Sequence, residues 1–402
     1  MMQSTLILAQ IAIFAYLIFL ISADNQQEMN KNHEDKSERL KKKVFLSQIV
    51  PDILETSPEI CVRIRYENDL IILPGKTVTP LQVKNNPVNI SWSIDNDKKD
   101  VFYTLLMIDP DAPSRTSPVL RNILHWLVVN ISGNNLTSGE TIQPYHGSGA
   151  PEETGFHRYI FLIFKQRSKL NFDPKLSESR LNFNVTKFMK DYSLPQPFAV
   201  NWFEAEFDEY VRSVRNKRIV NALKNEKVDT IIDLPPAYVD ILYPNGQLVP
   251  LGGILTPTQV RQQPKKLIFQ AEPEVLYTLV MSDPDAPSRE NPKNGEFLHW
   301  LVVNMNGTYA DSGDTYTEYI GSGAPKGTGL HRYIFMIFKQ PSRLILQRPR
   351  VSNRSREQRA HFKMAEFAKE NNLGIPIAGN FFMAEYDDSV PELYKQLSER
   401  NE

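Results

Sequence analysis

The run Asp109-Pro-Asp-Ala-Pro-Ser-Arg115 occurs twice in this 402-residue chain, and its second, letter-for-letter copy spans Asp283 to Arg289. The displacement is 283 − 109 = 174 positions. Three further motifs recur at the same displacement: Leu-His-Trp from Leu124 and Leu298, Gly-Ser-Gly-Ala-Pro from Gly147 and Gly321, and His-Arg-Tyr-Ile-Phe from His157 and His331. Solenoid repeats are far shorter, so this pattern predicts two tandem copies of one domain.

The two copies differ most where a protein core tolerates change. The strand-like segment that precedes the first motif, Phe102–Ile108, becomes Leu-Tyr-Thr-Leu-Val-Met-Ser at Leu276–Ser282. Core positions accept apolar side chains of similar volume, so variation of this kind is expected there. The Asp, His, Gly and Arg positions of the motifs are identical in both copies, which indicates a chemical role for them.

Composition narrows the classes of function. The net charge of −1 gives no basic surface of the kind that nucleic acid requires. Cys61 is the single cysteine, so an intrachain disulfide is excluded. The alternating segment Cys61-Val-Arg-Ile64 is typical of a strand and predicts a buried, inert thiol.

The N-terminal residues resemble an export signal. Leu6 to Ile21 is almost entirely apolar, and small residues precede a cleavage point after Ala23. We therefore expect a signal peptide over residues 1–23, secretion, and a polar disordered leader over 24–43. An uncleaved, membrane-anchored segment is the alternative, because the basic residues follow the apolar run. Six sequons are candidates for glycosylation, at Asn89, Asn130, Asn135, Asn184, Asn306 and Asn353.

Periodicity predicts mostly β-structure with a few helices. Val101–Ile108, His125–Ile131 and Arg158–Phe164 are rich in β-branched and aromatic residues and are too short for helices. Apolar residues at helical spacing begin at Val185 and near Phe362, late in each copy. We place the first domain at 44–218 and the second at 219–402, with a helical connector from about Glu209 to Lys224. The arginine-rich stretch from Leu344 to Arg359 has no equal in the first copy, and we expect an exposed basic loop there, with a site for an anionic partner as the alternative.

The repeated polar residues lie at strand ends, where loops from several strands converge on a pocket. Asp109-Pro-Asp111 places two carboxylates on a turn, and the Ala112-Pro113 bond is a candidate for the cis form. The Gly-Ser-Gly segment brings backbone N–H groups close to a ligand, which suits an anion. Histidine adds a donor whose charge is tuned near neutrality.

Together these motifs resemble the signature of the phosphatidylethanolamine-binding protein family, also called the Raf kinase inhibitor protein family. The resemblance covers both copies and implies a large central sheet, a smaller sheet and C-terminal helices. It also implies a pocket for phosphate, acetate or a phospholipid headgroup in each domain. By motif position the ligand-binding residues are Asp109, Asp111, Pro113, His125, Gly149, Pro151, His157 and Tyr159 in the first copy, and Asp283, Asp285, Pro287, His299, Gly323, Pro325, His331, Tyr333 and the pocket-closing Tyr394 in the second.

The first copy departs from this pattern in its terminal helix, where Arg215 occupies the position of Tyr394. An arginine there either extends outward and leaves the pocket open, or pairs with a bound phosphate. The affinity of the first pocket is therefore an open question at this stage.

Three classes of function compete. The first is a non-enzymatic binding protein for small anions such as phospholipid headgroups, without a cofactor, because no activated nucleophile is visible. The second is a regulator that binds a client protein such as a kinase or a serine protease, which the resemblance permits. The third is a metal-dependent hydrolase, but helical His-X-X-X-His or Glu-X-X-His spacing is lacking.

Anion binding beside two aspartates requires that their charge be offset. We hypothesise that at least one carboxyl group is neutralised by, or hydrogen-bonded to, histidine or tyrosine, and that the Gly149 and Gly323 amides face the ligand. If an imidazolium is the binding species, the affinity rises as the pH falls through the range of histidine.

Overall fold

The computed structural model describes residues 36–94 and 101–398. The predicted signal peptide, its cleavage after Ala23 and residues 24–35 of the predicted leader lie outside these residues. Within residues 36–94 and 101–398, no helix is long and apolar enough to cross a membrane.

Each copy of the repeat folds around one large β-sheet. The strands are β1 Ile60–Cys61, β2 Arg63–Arg65, β3 Ile71–Ile72, β4 Lys76–Thr77, β5 Asn89–Ser91, β6 Phe102–Asp109, β7 Ile123–Ser132, β8 Glu140–Gln143, β9 His157–Lys165, β10 Ala199–Ala205, β11 Ala237–Tyr238, β12 Asp240–Leu242, β13 Lys266–Ile268, β14 Leu276–Asp283, β15 Phe297–Asn306, β16 Asp314–Thr317, β17 His331–Lys339 and β18 Ala378–Ala384. The helices are α1 over residues 36–46, α2 Ile49–Asp52, α3 Val185–Asp191, α4 Glu209–Asn225, α5 Met364–Glu370 and α6 Val390–Gln396.

The two large sheets have the same strand order. The first is β1-β10-β9-β6-β7-β8, with β4 also paired to β10, and the second is β11-β18-β17-β14-β15-β16. Smaller sheets, β3-β2-β5 and β12-β13, accompany them. The predicted fold class, two tandem domains of mostly β-structure, is confirmed.

The central strands are mostly apolar because both faces of each large sheet are covered. Along β6, Tyr103, Leu105 and Met107 pack into one hydrophobic cluster, and Leu106 and Ile108 pack into another on the opposite face. Successive side chains of a strand point to opposite faces, so a sheet buried on both sides carries apolar residues on both faces. This arrangement leaves polar motif residues at the strand ends.

The last part of the predicted leader is ordered. Residues 36–46 form α1, and Leu40 and Val44 are buried in the same cluster as α3. The expectation of disorder up to residue 43 is therefore wrong for 36–43. The reason is the apolar spacing of Leu40 and Val44, four residues apart, which gives one face of a helix to the core even among many lysines.

Asn130 cannot carry a glycan in this fold. Its side chain is 4% exposed, its amide donates to the Leu170 carbonyl oxygen at 2.9 Å, and its Oδ1 accepts from Gln166 Nε2 at 2.8 Å. Asn304 and Gln340 repeat this pair in the second copy, also at 2.8 Å. Because the Asn130 amide is buried and hydrogen-bonded within the protein, the sequon at Asn130 is excluded from the glycosylation candidates.

Half of the predicted basic loop is exposed, but Arg359 is fully buried. Its guanidinium donates to five backbone carbonyl oxygens, those of Leu298, His299, Glu318, Ser352 and Ser355. Arg180 makes the matching bonds to Leu124 and His125 in the first copy. Leu170 and Arg180 are 10 positions apart, whereas their counterparts Leu344 and Arg359 are 15 positions apart. The second copy therefore has an insertion of five residues in this stretch.

The chain divides into two compact units. The first comprises the described residues up to Pro110, Arg121–Ser148 and Phe156–Ala205, and the second comprises Asp111–Leu120, Gly149–Gly155 and the described residues from Glu206 onward. The predicted boundary between residues 218 and 219 differs from this division, because it falls inside α4 and because two loops of the first repeat pack within the second unit.

Candidate functional site

The second copy encloses a small cavity at the end of its large sheet. Its volume is about 70 Å³, which admits a group of a few heavy atoms. Seven predicted residues line it: Asp283, Pro287, His299, Gly323, Pro325, His331 and Tyr394. Asp283 is the last residue of β14 and His331 is the first of β17, so strand ends bring them together as the sequence predicts.

Asp283 and His331 form a buried hydrogen-bonded pair at the base of the cavity. His331 Nδ1 lies 2.8 Å from Asp283 Oδ2, and the two side chains are 1% and 5% exposed. The Thr328 hydroxyl donates to the Pro325 carbonyl at 2.8 Å, so its oxygen must accept from His331 Nε2 at 2.9 Å. His331 Nε2 therefore carries a proton.

The Asp283–His331 pair has no net charge while one further proton lies between its members. If that proton is on Nδ1, an imidazolium faces a carboxylate, and if it is on the carboxyl group, both groups are neutral. Burial raises the pKa of Asp283 above its ordinary value, although His331 opposes this. The carboxyl group is thus offset by histidine, in the manner the sequence suggested, and it does not present a lone negative charge to a ligand.

His299 is neutral near pH 7. Burial lowers its pKa to about 3. Its Nδ1 donates to the Ile320 carbonyl at 3.1 Å, because a carbonyl oxygen only accepts, and this bond fixes the tautomer. The hypothesis of an imidazolium that forms in the usual histidine range therefore fails for His299, since burial disfavours the charged ring.

Asp285 is predicted to be in the pocket but does not line the cavity. Its carboxylate accepts from Arg332 three times, from the backbone N–H and Nε at 2.9 Å and from Nη2 at 2.5 Å. Burial works against the charge of Arg332, but Asp285 outweighs this effect and the pKa of Arg332 is raised. The second aspartate of the motif therefore holds β17 to the turn and leaves the ligand-facing charge to Asp283.

The Gly323 amide does not face the cavity as an anion donor. It donates to the Tyr333 hydroxyl at 3.1 Å, and the Gly323 carbonyl accepts from the Tyr394 hydroxyl at 2.8 Å. Tyr333 is fully buried beneath this loop and does not line the cavity. The proposed nest of loop amides is therefore wrong at Gly323. A Cβ at this position would lie 2.9 Å from Leu393 Cδ2, so any larger residue would have to displace that side chain.

Arg356 lines the cavity, although the motifs did not predict it as a site residue. It is exposed, as expected for its stretch of chain, and its guanidinium carbon is 5.6 Å from the centroid of the Tyr394 ring. Among the described residues, no carboxylate forms a salt bridge with it within 4.0 Å. The position of the arginine beside a pocket depends on how the insertion folds back, and no local pattern encodes that.

Six other lining residues were not predicted, and all follow or precede motif residues closely in sequence or in space. They are Ala286, Asn294, Phe297, Ile320, Leu393 and Leu397. Phe297 opens β15 two residues before His299, and Leu393 is adjacent to Tyr394. Their closeness to the motifs is the feature from which these lining residues could have been predicted.

In the first copy, the predicted residues are divided between the two compact units. Asp109, His125, His157 and Tyr159 belong to the first, and Asp111, Pro113, Gly149 and Pro151 to the second. Within the first unit, His157 Nδ1 lies 2.8 Å from Asp109 Oδ2, and the His125 and Tyr159 rings meet edge to face at 5.0 Å. Burial lowers the pKa of His125. The aspartate–histidine pair of the second copy is thus repeated.

Arg215 neither extends into solvent nor stands ready for a phosphate. Its guanidinium binds the carboxylate of Asp240 in bidentate fashion, at 2.9 and 2.5 Å, and stacks over Tyr238 at 4.3 Å. Asp240 is completely buried. Burial opposes the charge of Arg215, but Asp240 outweighs it and the pKa of Arg215 is raised. The residue that replaces the pocket tyrosine is therefore structural, and both alternatives drawn from the sequence are wrong.

Two smaller expectations concern single residues. The Ala112-Pro113 bond and its repeat Ala286-Pro287 are both cis, as predicted. Cys61 is partly buried, and burial raises the pKa of its thiol to about 11, which fits an inert cysteine. In residues 36–94 and 101–398, no group of three or more histidine, cysteine or acidic side chains is arranged to hold a metal ion.

Comparison with known proteins identifies the family. The model of the phosphatidylethanolamine-binding protein family matches residues 71–203 and 245–382, one segment in each copy. The chain belongs to this family. The two matched segments contain the repeated motifs and the aspartate–histidine pairs described above. The family resemblance inferred from the motifs is confirmed.

Three similar proteins each match less than half of the chain. A Drosophila melanogaster protein, "Putative odorant-binding protein A5", is 39% identical over 183 residues, which is 44% of this chain and 85% of that protein. The structure of carboxypeptidase Y inhibitor complexed with its cognate proteinase is 23% identical, covers 43% of this chain and 97% of its own, and gives a TM-score of 0.37. The phosphatidylethanolamine-binding protein from Plasmodium vivax is 21% identical over 42% and 97%, with a TM-score of 0.35.

Proposed function

We propose that this protein is a non-enzymatic binding protein whose second copy holds a small anionic group, such as the phosphate of a phospholipid headgroup, in the cavity above the Asp283–His331 pair. The observation that carries the proposal is the charge balance of the cavity. Asp283 is offset by His331, His299 is neutral, and Arg356 at the mouth adds a positive charge.

The charge balance favours an anion over a cation or a neutral group. A lone carboxylate about 4 Å from a phosphate would oppose binding by roughly 4 kcal/mol at an effective dielectric of 20. The pairing with His331 removes most of this repulsion before any ligand arrives. Arg356 then attracts the ligand from outside, and its planar fork of donors matches the geometry of phosphate and carboxylate oxygens.

The size of the cavity favours a headgroup over a larger ligand. A volume of about 70 Å³ accepts a phosphate or carboxylate and little more. The side-chain amide of Asn294, also in the lining, adds a neutral donor and acceptor. The rest of any larger molecule must therefore lie outside the cavity.

Arg356 provides the first test. We expect Arg356→Ala to weaken binding of glycerophosphoethanolamine about ten-fold and Arg356→Glu about 100-fold at low ionic strength, because the charge at the mouth is removed or reversed. Arg356→Lys should stay within about three-fold, since it keeps the charge. Isothermal titration calorimetry measures these affinities. The chain should carry His157→Gln, which disables the equivalent pair of the first copy.

Arg354→Ala is the matched control. Arg354 is an exposed arginine two residues away that does not line the cavity, so its loss should change the affinity less than two-fold. Unchanged binding by Arg356→Glu would contradict the proposed function.

A further inference from the structure

A second, larger depression adjoins the cavity. It has a volume of about 600 Å³ and shares two lining residues with the cavity, Ile320 and Leu393. The loop Gly321-Ser-Gly323 runs between them, with Gly321 and Ser322 on the wall of the larger groove and Gly323 on that of the cavity. The two spaces therefore share part of their walls. A substituent of a group bound in the cavity therefore has the groove as its neighbour.

Most of the polar residues that line the groove are uncharged. Its amides come from three separate parts of the chain, with Gln262 and Gln263 on one loop, Asn353 on the arginine-rich stretch and Gln396 on α6. Gln263 Nε2 is held by Asp311 at 2.8 Å and Gln396 Nε2 by the Asn353 carbonyl at 2.8 Å, which fixes the orientation of both. Each of these two amides keeps its carbonyl oxygen as an acceptor.

The positive charge at the groove is already paired. Arg261 forms an ion pair with Glu392 at 2.5 Å, and Glu318 accepts from the backbone N–H of Asn353 at 2.9 Å. Glu318 adds one carboxylate, whose oxygens can also accept hydrogen bonds from hydroxyl groups, in contrast to the cavity with Arg356. A groove of this kind suits a neutral ligand that is rich in hydroxyl groups.

A peptide is a weaker fit because the neighbouring strand edge is already occupied. Peptides that bind in extended form usually pair with a free edge of a sheet. Here the edge strand β16 is covered by Val351, whose N–H donates to the Tyr316 carbonyl at 2.8 Å and whose carbonyl accepts from the Glu318 N–H at 2.9 Å. The chain itself thus takes the position that a peptide would use.

We infer that the groove is a second subsite, which binds the polyhydroxylated part of a headgroup, such as an inositol or another sugar alcohol, while the attached phosphate lies in the cavity. This inference rests on the proposed function, because the phosphate subsite is the cavity. It narrows the ligand from any small anion to a phosphodiester that carries a polyol.

Two soluble probes test the inference on the intact chain, produced without glycosylation. Glycerophosphoinositol should bind at least ten-fold more tightly than glycerophosphoethanolamine in calorimetric titrations. Gln262→Ala combined with Asn353→Ala should remove this difference and leave the affinity for glycerophosphoethanolamine within two-fold. Gln347→Ala, an exposed glutamine on the same arginine-rich stretch and outside the groove, is the matched control and should change neither affinity.

The outcomes separate this inference from the proposed function. Equal affinity for the two probes would overturn the polyol subsite and leave anion binding intact. Binding of neither probe would overturn both. A mixture of short peptides tests the alternative occupant. The groove is a peptide site, and the inference is wrong, if peptides bind, if the double variant abolishes their binding, and if glycerophosphoinositol binds no more tightly than glycerophosphoethanolamine.

Discussion

Replacing His331 by glutamine is expected to weaken binding of glycerophosphoethanolamine about 100-fold at pH 7.5. Glutamine cannot be protonated to a cation, so Asp283 becomes a lone carboxylate beside the ligand. At close range the repulsion between this carboxylate and the anionic ligand is expected to be several kcal/mol. Because burial raises the pKa of Asp283, the lost affinity should return to within about ten-fold of the original as the pH is lowered and the carboxyl group protonates. Calorimetry in the His157→Gln chain measures both values.

Asp283→Asn is the matched second change. Added to His331→Gln, it removes the charge, so the double variant should recover to within about ten-fold of the original affinity at pH 7.5 without any change of pH. Near-ultraviolet circular dichroism checks that each variant is folded. A double variant that binds no better than His331→Gln would show that the charge of Asp283 is not what His331 controls.

The largest effect on stability is expected at Arg215. Arg215→Ala leaves the carboxylate of Asp240 buried without its partner, and loss of one member of a buried pair costs about 3–5 kcal/mol of unfolding free energy. The stacking of Arg215 on Tyr238 is lost as well. Urea unfolding followed by circular dichroism measures the change.

Two controls distinguish pairing from packing. Arg218→Ala removes an exposed arginine one turn along α4 and should change the unfolding free energy by less than about 0.5 kcal/mol. Arg215→Met with Asp240→Leu removes both charges and should restore most of the lost stability, because apolar pairs replace buried ion pairs with little loss. If the double change is as destabilising as Arg215→Ala, the ion pair is not the source of the effect.

The features that could be predicted from the sequence are those that both copies share, because a residue that is identical in two diverged copies is under structural or chemical constraint. The strands around Asp109 and Asp283, the cis Ala-Pro bonds and the meeting of Asp283 with His331 all follow from local patterns and from the rule that strand ends converge. These features depend on residues near one another in sequence, or on positions that the two copies hold in common. The family resemblance rested on the same residues.

What the sequence did not predict depends on long-range contacts. Arg215, Arg356 and Arg359 are all exposed-looking arginines by pattern, yet one is paired with a buried aspartate, one lines the cavity and one is fully buried among carbonyl groups. The local sequence does not distinguish the three arginines, because the surroundings of each side chain depend on partners that lie far away in the chain. Asp285 is the opposite case. The motif predicts that its carboxylate faces a ligand, but the carboxylate is paired with Arg332 instead.

The number of protons taken up on ligand binding shows whether the Asp283–His331 pair is neutral before the ligand arrives. We expect that the pair already holds one shared proton and that Arg356 supplies the positive charge, so a phosphodiester binds without taking up protons. Calorimetric titration of glycerophosphoethanolamine at pH 7, in Tris and in bis-Tris, separates proton uptake from binding heat because the two buffers differ in ionisation enthalpy. The expected result is uptake close to zero protons per bound ligand. Uptake close to one proton per ligand would mean that a bare Asp283 carboxylate must be neutralised on binding, and it would contradict the role given to the pair.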